Sequence, residues 1–328
     1  MESLVFAFNS VAPIVIMVAA GYFLKKSKII GKDFAFAGNR LVFRLLLPVM
    51  LFGNVYKIEN IGSFDFGHVA YAVIMTILIF AAAVFFSGFI TKDGPTRGSL
   101  VQGIFRSNYT LIGIPLAESL FGAEGTAAAA VLSAFVIPVF NVLAVAELLS
   151  FSGNGKRPTA KKILFDIAKN PLIQGVAAGF LALLIREFFV SAEISFRLYD
   201  IAPVEKVIGY ISAMATPLSL IVLGADFEFS AISSLKKEIV FGTAARCLFV
   251  PLAGVGTAFL LFRGTFDGAQ FAAITALFTA PVAVSSIPMA QEMGGNTTLS
   301  GQLVVWTTIF SAASVFAASF LLKFAGIF

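Results

Sequence analysis

The sequence predicts an all-α polytopic membrane protein of about ten transmembrane helices, built as two inverted halves of five. Three observations carry that prediction. The chain is too apolar to be solvated by water, its apolar runs recur at spanning length between short loops, and short motifs repeat in the same order in both halves.

Hydrophobic residues fill 59% of the 328 positions, charged residues 12%, and mean hydropathy is +0.94. A soluble domain carries about a quarter charged residues, so lipid is the expected solvent here. The first run, Leu4 to Leu24, is followed by Lys25 and Lys26 and shows no small-residue cleavage site, so it reads as a retained span rather than a signal peptide. The lone Cys247 excludes an intramolecular disulfide framework and a multi-cysteine metal site, and His68 is the only histidine. No metal and no other cofactor is expected. In a soluble protein the net charge of +5 would raise the question of nucleic acid. Here the basic residues sit in loops between apolar runs and speak to topology instead.

A helix needs about 20 apolar residues to cross the hydrocarbon core. Such runs lie near 4–24, 35–55, 68–91, 99–121 and 125–151, and again near 171–190, 205–225, 239–262, 268–292 and 299–323. With the N-terminus outside, thirteen loop lysines and arginines fall inside and six outside. Basic residues stay cytoplasmic, so both termini are expected outside a cell inner (plasma) membrane.

The basic stretch 152–170 divides the spans into repeats at 1–151 and 171–328. Five is odd, so the second half runs through the membrane in the opposite sense. Pro13-Ile-Val-Ile-Met-Val18-Ala-Ala-Gly-Tyr22 resembles Pro171-Leu-Ile-Gln-Gly-Val176-Ala-Ala-Gly-Phe180, and Gly113-Ile-Pro115-Leu-Ala-Glu118 resembles Ser286-Ile-Pro288-Met-Ala-Gln291. Pro48 and Pro217 each precede an apolar run ending in glycine, Gly53 and Gly224. Inverted repeats mark secondary transporters, whose sites lie at midplane where Gly or Pro interrupts a helix. Proline removes a backbone donor and clashes with the carbonyl four residues earlier. Spans four and nine are therefore expected to unwind, around Gly113–Pro115 and Pro281–Pro288.

The segment Asn108-Tyr-Thr-Leu-Ile-Gly-Ile-Pro115-Leu resembles the span-four motif of the auxin efflux carrier family, which includes plant PIN carriers and bacterial organic-acid permeases. Ala280-Pro-Val-Ala-Val-Ser-Ser-Ile-Pro288 and Thr216-Pro-Leu-Ser-Leu extend the match, and the ten-span plan covers the whole chain. The resemblance implies crossed, broken helices four and nine, as in sodium/proton antiporters and bile-acid symporters. It implies a scaffold of spans 1, 2, 6 and 7, a transport unit of spans 3–5 and 8–10, an elevator-type motion, and a homodimer through the scaffold. The central loop of about 20 residues is much shorter than that of the long-loop plant carriers, which favours the bacterial permease type.

Half-helices beginning after Pro115 and Pro288 would turn free N–H groups and a positive dipole toward midplane, an anion site needing no basic side chain. The substrate-binding set expected there is Arg106, Asn108, Gly113, Ile114, Pro115, Asn141, Pro281, Ser285, Ser286 and Pro288. Asn108 and Asn141 can donate and accept, their plainer role being a helix–helix hydrogen bond. Arg106 suits a substrate carboxylate, with snorkelling to the interface as the alternative. Arg246 suggests a structural ion pair. Glu118 is the coupling candidate, by proton or sodium, with Glu147 behind it; His68 reads as interfacial.

No Asp-Asp pair lies in a span, no phosphate-binding loop precedes a helix, and one histidine cannot form an intramembrane metalloprotease site. The expected activity is not enzymatic. It is secondary transport of small mono- or dicarboxylates, malate-, malonate- or auxin-like, driven by protons or the substrate's own gradient. The alternatives are a sodium-coupled symporter of larger organic anions and a non-transporting sensor on the same fold, for which no loop is long enough to form an output domain.

Overall fold

The computed structural model describes residues 2–57, 66–151 and 160–328, and every regular element among them is a helix. Those of seven residues or more are, in chain order, α1 (Glu2–Lys26), α2 (Lys32–Tyr56), α3 (Phe66–Ile90), α4 (Gly94–Phe105), α5 (Tyr109–Phe151), α6 (Ala160–Lys169), α7 (Pro171–Ser191), α8 (Ala202–Asp226), α9 (Lys236–Phe262), α10 (Gly268–Thr279), α11 (Ser286–Glu292) and α12 (Thr297–Phe324). Seven of the described helices are long and apolar enough to cross a membrane: α2, α3, α5, α7, α8, α9 and α12. This is fewer than the ten apolar runs chiefly because runs four and nine are each broken in two.

The second piece of run four joins run five within α5. The chain turns sharply between them at Phe121 and Gly122, where Gly122 adopts φ +60°, a conformation that suits a residue without Cβ. The expected linker 152–170 is in part a helix, α6; residues 152–159 lie outside the described residues.

Side-chain caps set several helix starts. Asp93 accepts from the Thr96 amide at 3.0 Å, Asn170 from Leu172 at 2.9 Å and Asn296 from Leu299 at 2.9 Å. Asp267 and Gln270 form a reciprocal capping box at the start of α10. Prolines inside helices leave a carbonyl without its donor. Pro251 does this to Cys247, and the Ser314 hydroxyl of α12 donates to that carbonyl instead. Wider π-type turns at Ala245–Phe249 and Leu252–Gly256 flank the same proline, and another at Val42–Leu46 precedes Pro48.

Most of the packing falls into two sets of neighbours, and α1 also lies along α12 across them. In one, α1 lies along α8 and α2 along α7 and α8; in the other, α5 lies along α10, α3 on α4 and α5, and α12 on α4, α9, α10 and α11. Glycine permits the closest approaches in the first set. A Cβ on Gly21 would strike the Ile221 carbonyl of α8, and one on Gly224 the Val18 carbonyl of α1. The Gly175/Gly179 face of α7 is occupied within the chain by Pro48, Phe52 and Val55 of α2, so it is not free for a partner subunit. Phe23, Phe89, Phe188, Tyr210, Leu260 and Leu261 stand outward from the bundle as an apolar surface suited to lipid.

Candidate functional site

Between α4 and the start of α5, residues Arg106–Asn108 leave the helix; between α10 and α11, so do Ala280–Ser285. The two breaks cross and pair as a short antiparallel bridge at Ser107 and Val282. The Asn108 amide donates to the Pro281 carbonyl at 2.8 Å and the Ala283 amide to the Arg106 carbonyl at 3.3 Å. The Val282 amide donates to the Thr307 hydroxyl of α12 at 3.1 Å. Unwound backbone at membrane depth requires this kind of satisfaction within the protein.

The C-terminal ends of α4 and α10 converge at the crossing and bring unpaired carbonyls with them. Arg246 of α9, 1% exposed, meets them. Its guanidinium donates to Ala280 (2.9 and 2.6 Å), Leu277 (3.1 Å), Ile104 (3.3 Å) and Phe105 (3.4 Å). The residue is a shared cap of two helix ends, where a cation also suits both dipoles, and not half of an ion pair as its sequence context suggested.

A cavity of about 580 Å³ opens beside the crossing, within the usual size of a small-molecule site. Its walls are α1, α2, the first turn of α7, α8, and the crossing itself with α5. The polar groups on it are Arg106, Ser107, Asn108, Thr110, Asn141, Ser212, Thr216, Ser219 and Ser285, set among apolar residues such as Met17, Met50 and Leu220.

Arg106 is 5% exposed, so it does not snorkel. Its Nη2 donates to Asn141 Oδ1 at 2.8 Å and its Nη1 contacts the Met289 sulfur; neither partner carries charge. Asn141 is fully buried and donates to the Ile137 carbonyl at 2.9 Å. The Asn108 side-chain nitrogen is buried and has no hydrogen-bond partner among the described residues, an open donor on the cavity wall.

Four of the expected residues, Arg106, Asn108, Asn141 and Ser285, thus come together on one cavity, and the others do not line it. The break in run four lies at Arg106–Asn108 rather than at Gly113–Pro115. Gly113 closes a π-type turn where a Cβ would overlap the Tyr109 ring, and Pro115 follows that turn inside α5, as Pro48 follows one in α2. Pro281 lies in the second break and its carbonyl holds Asn108, whereas Ser286 and Pro288 belong to the first turn of α11. The half-helices therefore begin before these prolines, not after them. Glu118 is exposed on α5, away from the cavity, and His68 is buried beside Gln270 near the start of α3.

Sequence reasoning did not single out Ser212, Thr216 and Ser219 as cavity residues. Their spacing of four and three on α8 puts them on one face, and a small polar stripe in an otherwise apolar span was the available signal.

The family described as "Membrane transport protein" matches residues 6–317. A protein of Methanothermobacter thermautotrophicus named "Uncharacterized transporter" is 22% identical over 310 residues, covering 94% of this chain and 95% of its own length. One of Rhizobium meliloti named "Putative malonate transporter" is 22% identical over 291 residues, 87% of this chain and 86% of its own. One of Methanocaldococcus jannaschii, also named an uncharacterized transporter, is 27% identical over 257 residues, 76% of each chain.

Proposed function

The chain belongs to the membrane transport protein family, that of the auxin efflux carriers, and from that premise we propose that it is a secondary carrier of small carboxylates of the malonate type. The observation that carries the substrate class is Arg106, a buried cation on the cavity wall whose hydrogen-bond partners are neutral. A cation withdrawn from water with no anion in contact is expensive, and an anion entering the cavity would supply that contact. The open donor of Asn108 and the first amides of α5 offer the same anion further hydrogen bonds. The name borne by the Rhizobium meliloti relative agrees with a short carboxylate.

The cavity lies where the two packing sets meet, α1, α2, α7 and α8 on one side and the crossing on the other. That placement supports an elevator-type exchange, in which α3–α5 and α9–α12 carry the site past a scaffold of α1, α2, α7 and α8. The basic loops favour a cell inner membrane with both termini outside.

A thermal-shift screen of mono- and dicarboxylates on the purified protein, followed by uptake of labelled malonate into proteoliposomes, tests the reading. Malonate or a close analogue is expected to stabilise the protein and to be taken up, and Arg106→Gln to lose both effects. If no carboxylate stabilises the wild type while neutral or cationic solutes do, the substrate class is wrong.

A further inference from the structure

Glu147 lies on α5 two turns from Asn141 and is 3% exposed. Neither of its carboxyl oxygens has a hydrogen-bond partner among the described residues. Ionisable groups at membrane depth are costly and mark pathways of ions or protons, and a buried carboxyl needs a proton or a counter-charge. The nearest wall is α4, against whose Gly98 the carboxyl packs; a Cβ there would lie 3.3 Å from Oε2. The same helix carries Ser99 and Gln102, whose side-chain oxygens also lack partners, and ends at Arg106.

Arg106 reaches α5 at Asn141, six residues before Glu147, and is not in ion-pair contact with it. Other charged and titratable groups on elements packed against α5 are engaged elsewhere: Asp93 caps α4, Asp267 caps α10 and His68 lies beside Gln270. Arg97 lies over the Phe151 ring and donates to Ser87 and Val84, Lys169 lies over Phe165, and Arg186 pairs with Glu187. Lys25 and Lys26 end α1, with Lys25 facing Asp226; Lys161 is exposed and Asp166 half-buried on α6.

Arg106 thus stands between two places where a negative charge can balance it, the cavity on one side and Glu147 on the other. We propose that Glu147 is the proton site of this carrier: a carboxylate that engages Arg106 from the cavity displaces Glu147 as counter-charge, and Glu147 takes a proton from water. The inference rests on the carboxylate reading of the cavity. The exchange is balanced, since one carboxylate replaces another beside Arg106 and the added proton travels on Glu147 as a neutral acid. Anion and proton then cross together, so a proton gradient drives accumulation. A sodium ion is the poorer occupant, because the Arg106 charge repels any cation held beside Glu147, whereas a proton neutralises the carboxyl by a covalent bond.

Binding of malonate to the purified protein in lightly buffered detergent solution, with a pH-indicator dye, reads this directly. The wild type is expected to take up roughly one proton per malonate bound, by the reciprocity of linked binding. At pH values where malonate stays a dianion, its Kd should weaken by up to about tenfold per unit of rising pH. In Glu147→Gln the proton uptake and the pH dependence should both vanish. An infrared difference spectrum of the wild type gives a reading that does not need the variant: malonate should raise the protonated-carboxyl band. Failure of the wild type to bind any small carboxylate overturns the carboxylate reading and this one with it. Malonate binding without proton uptake, uptake that persists in Glu147→Gln, or binding that requires sodium at constant pH overturns the coupling alone.

Discussion

The guanidinium of Arg246 donates twice to the carbonyl of Ala280, from Nε at 2.9 Å and from Nη2 at 2.6 Å, and so holds the end of α10 against α9. Its remaining donors reach Leu277 on α10 and Ile104 and Phe105 on α4. One side chain thereby ties together the two helices that the crossing interrupts. Arginine suits this because its five N–H groups form a rigid fork, whereas lysine has three donors on a flexible stem.

Arg246→Met should leave these buried carbonyls short of donors, at about 1–3 kcal/mol for a buried acceptor left unsatisfied. Arg246→Lys should recover part of that loss. Thermal unfolding in detergent checks the order wild type, lysine, methionine. An unfolding temperature unchanged in Arg246→Met would show that the crossing holds without this cap.

Asn108→Ala should weaken carboxylate binding roughly 10- to 100-fold, the cost of one charge-assisted hydrogen bond of about 1.5–3 kcal/mol. Asn54→Ala, on α2 away from the cavity, should change little. Isothermal titration of the two variants with malonate separates them, and equal affinities would put the site elsewhere.

An elevator motion has to part the contacts between the two sets, which include α1 along α12 and two polar pairs. Asn39 of α2 donates to Gln291 of α11 at 2.8 Å, and Arg44 pairs with Glu292 at 3.2 Å. Arg44 is largely exposed, so its pair contributes only about 0–1 kcal/mol. Cross-linking cysteines at Asn39 and Gln291, with Cys247→Ser to remove the native thiol, should stop malonate uptake until the link is reduced. Full uptake by the cross-linked protein would exclude relative motion of these two helices.

Topology is testable from the outside. A cysteine introduced at Asn154, in the segment outside the described residues, should resist an impermeant thiol reagent in Cys247-free spheroplasts. Labelling there would reverse the assigned orientation.

What the sequence determined by itself is the class of protein and its broad plan. An apolar majority with few charges, most of them in loops, leaves lipid as the adequate solvent. The interruption of runs four and nine was legible because proline and glycine act locally on the backbone. The place of the first interruption was not. Pro115 lies inside α5, where a π-type turn before it takes up its missing N–H, and the true break at Arg106–Asn108 contains neither proline nor glycine. The partner strand at Pro281–Ala283 and the Arg246 side chain stabilise that break, and both are long-range relationships that no local pattern reports.

The same distinction governs the charges. Glu118 and Glu147 look alike in sequence, each a single acid in an apolar run, but α5 turns at Gly122 and leaves one exposed and the other buried near Arg106. Arg106 and Arg246 likewise differ by what lies across from them: a cavity in one case and four carbonyl groups in the other. The energy of a buried charge is set by its surroundings within a few ångströms. Those surroundings are assembled from segments far apart in the chain, and tertiary packing alone decides which residues they contain.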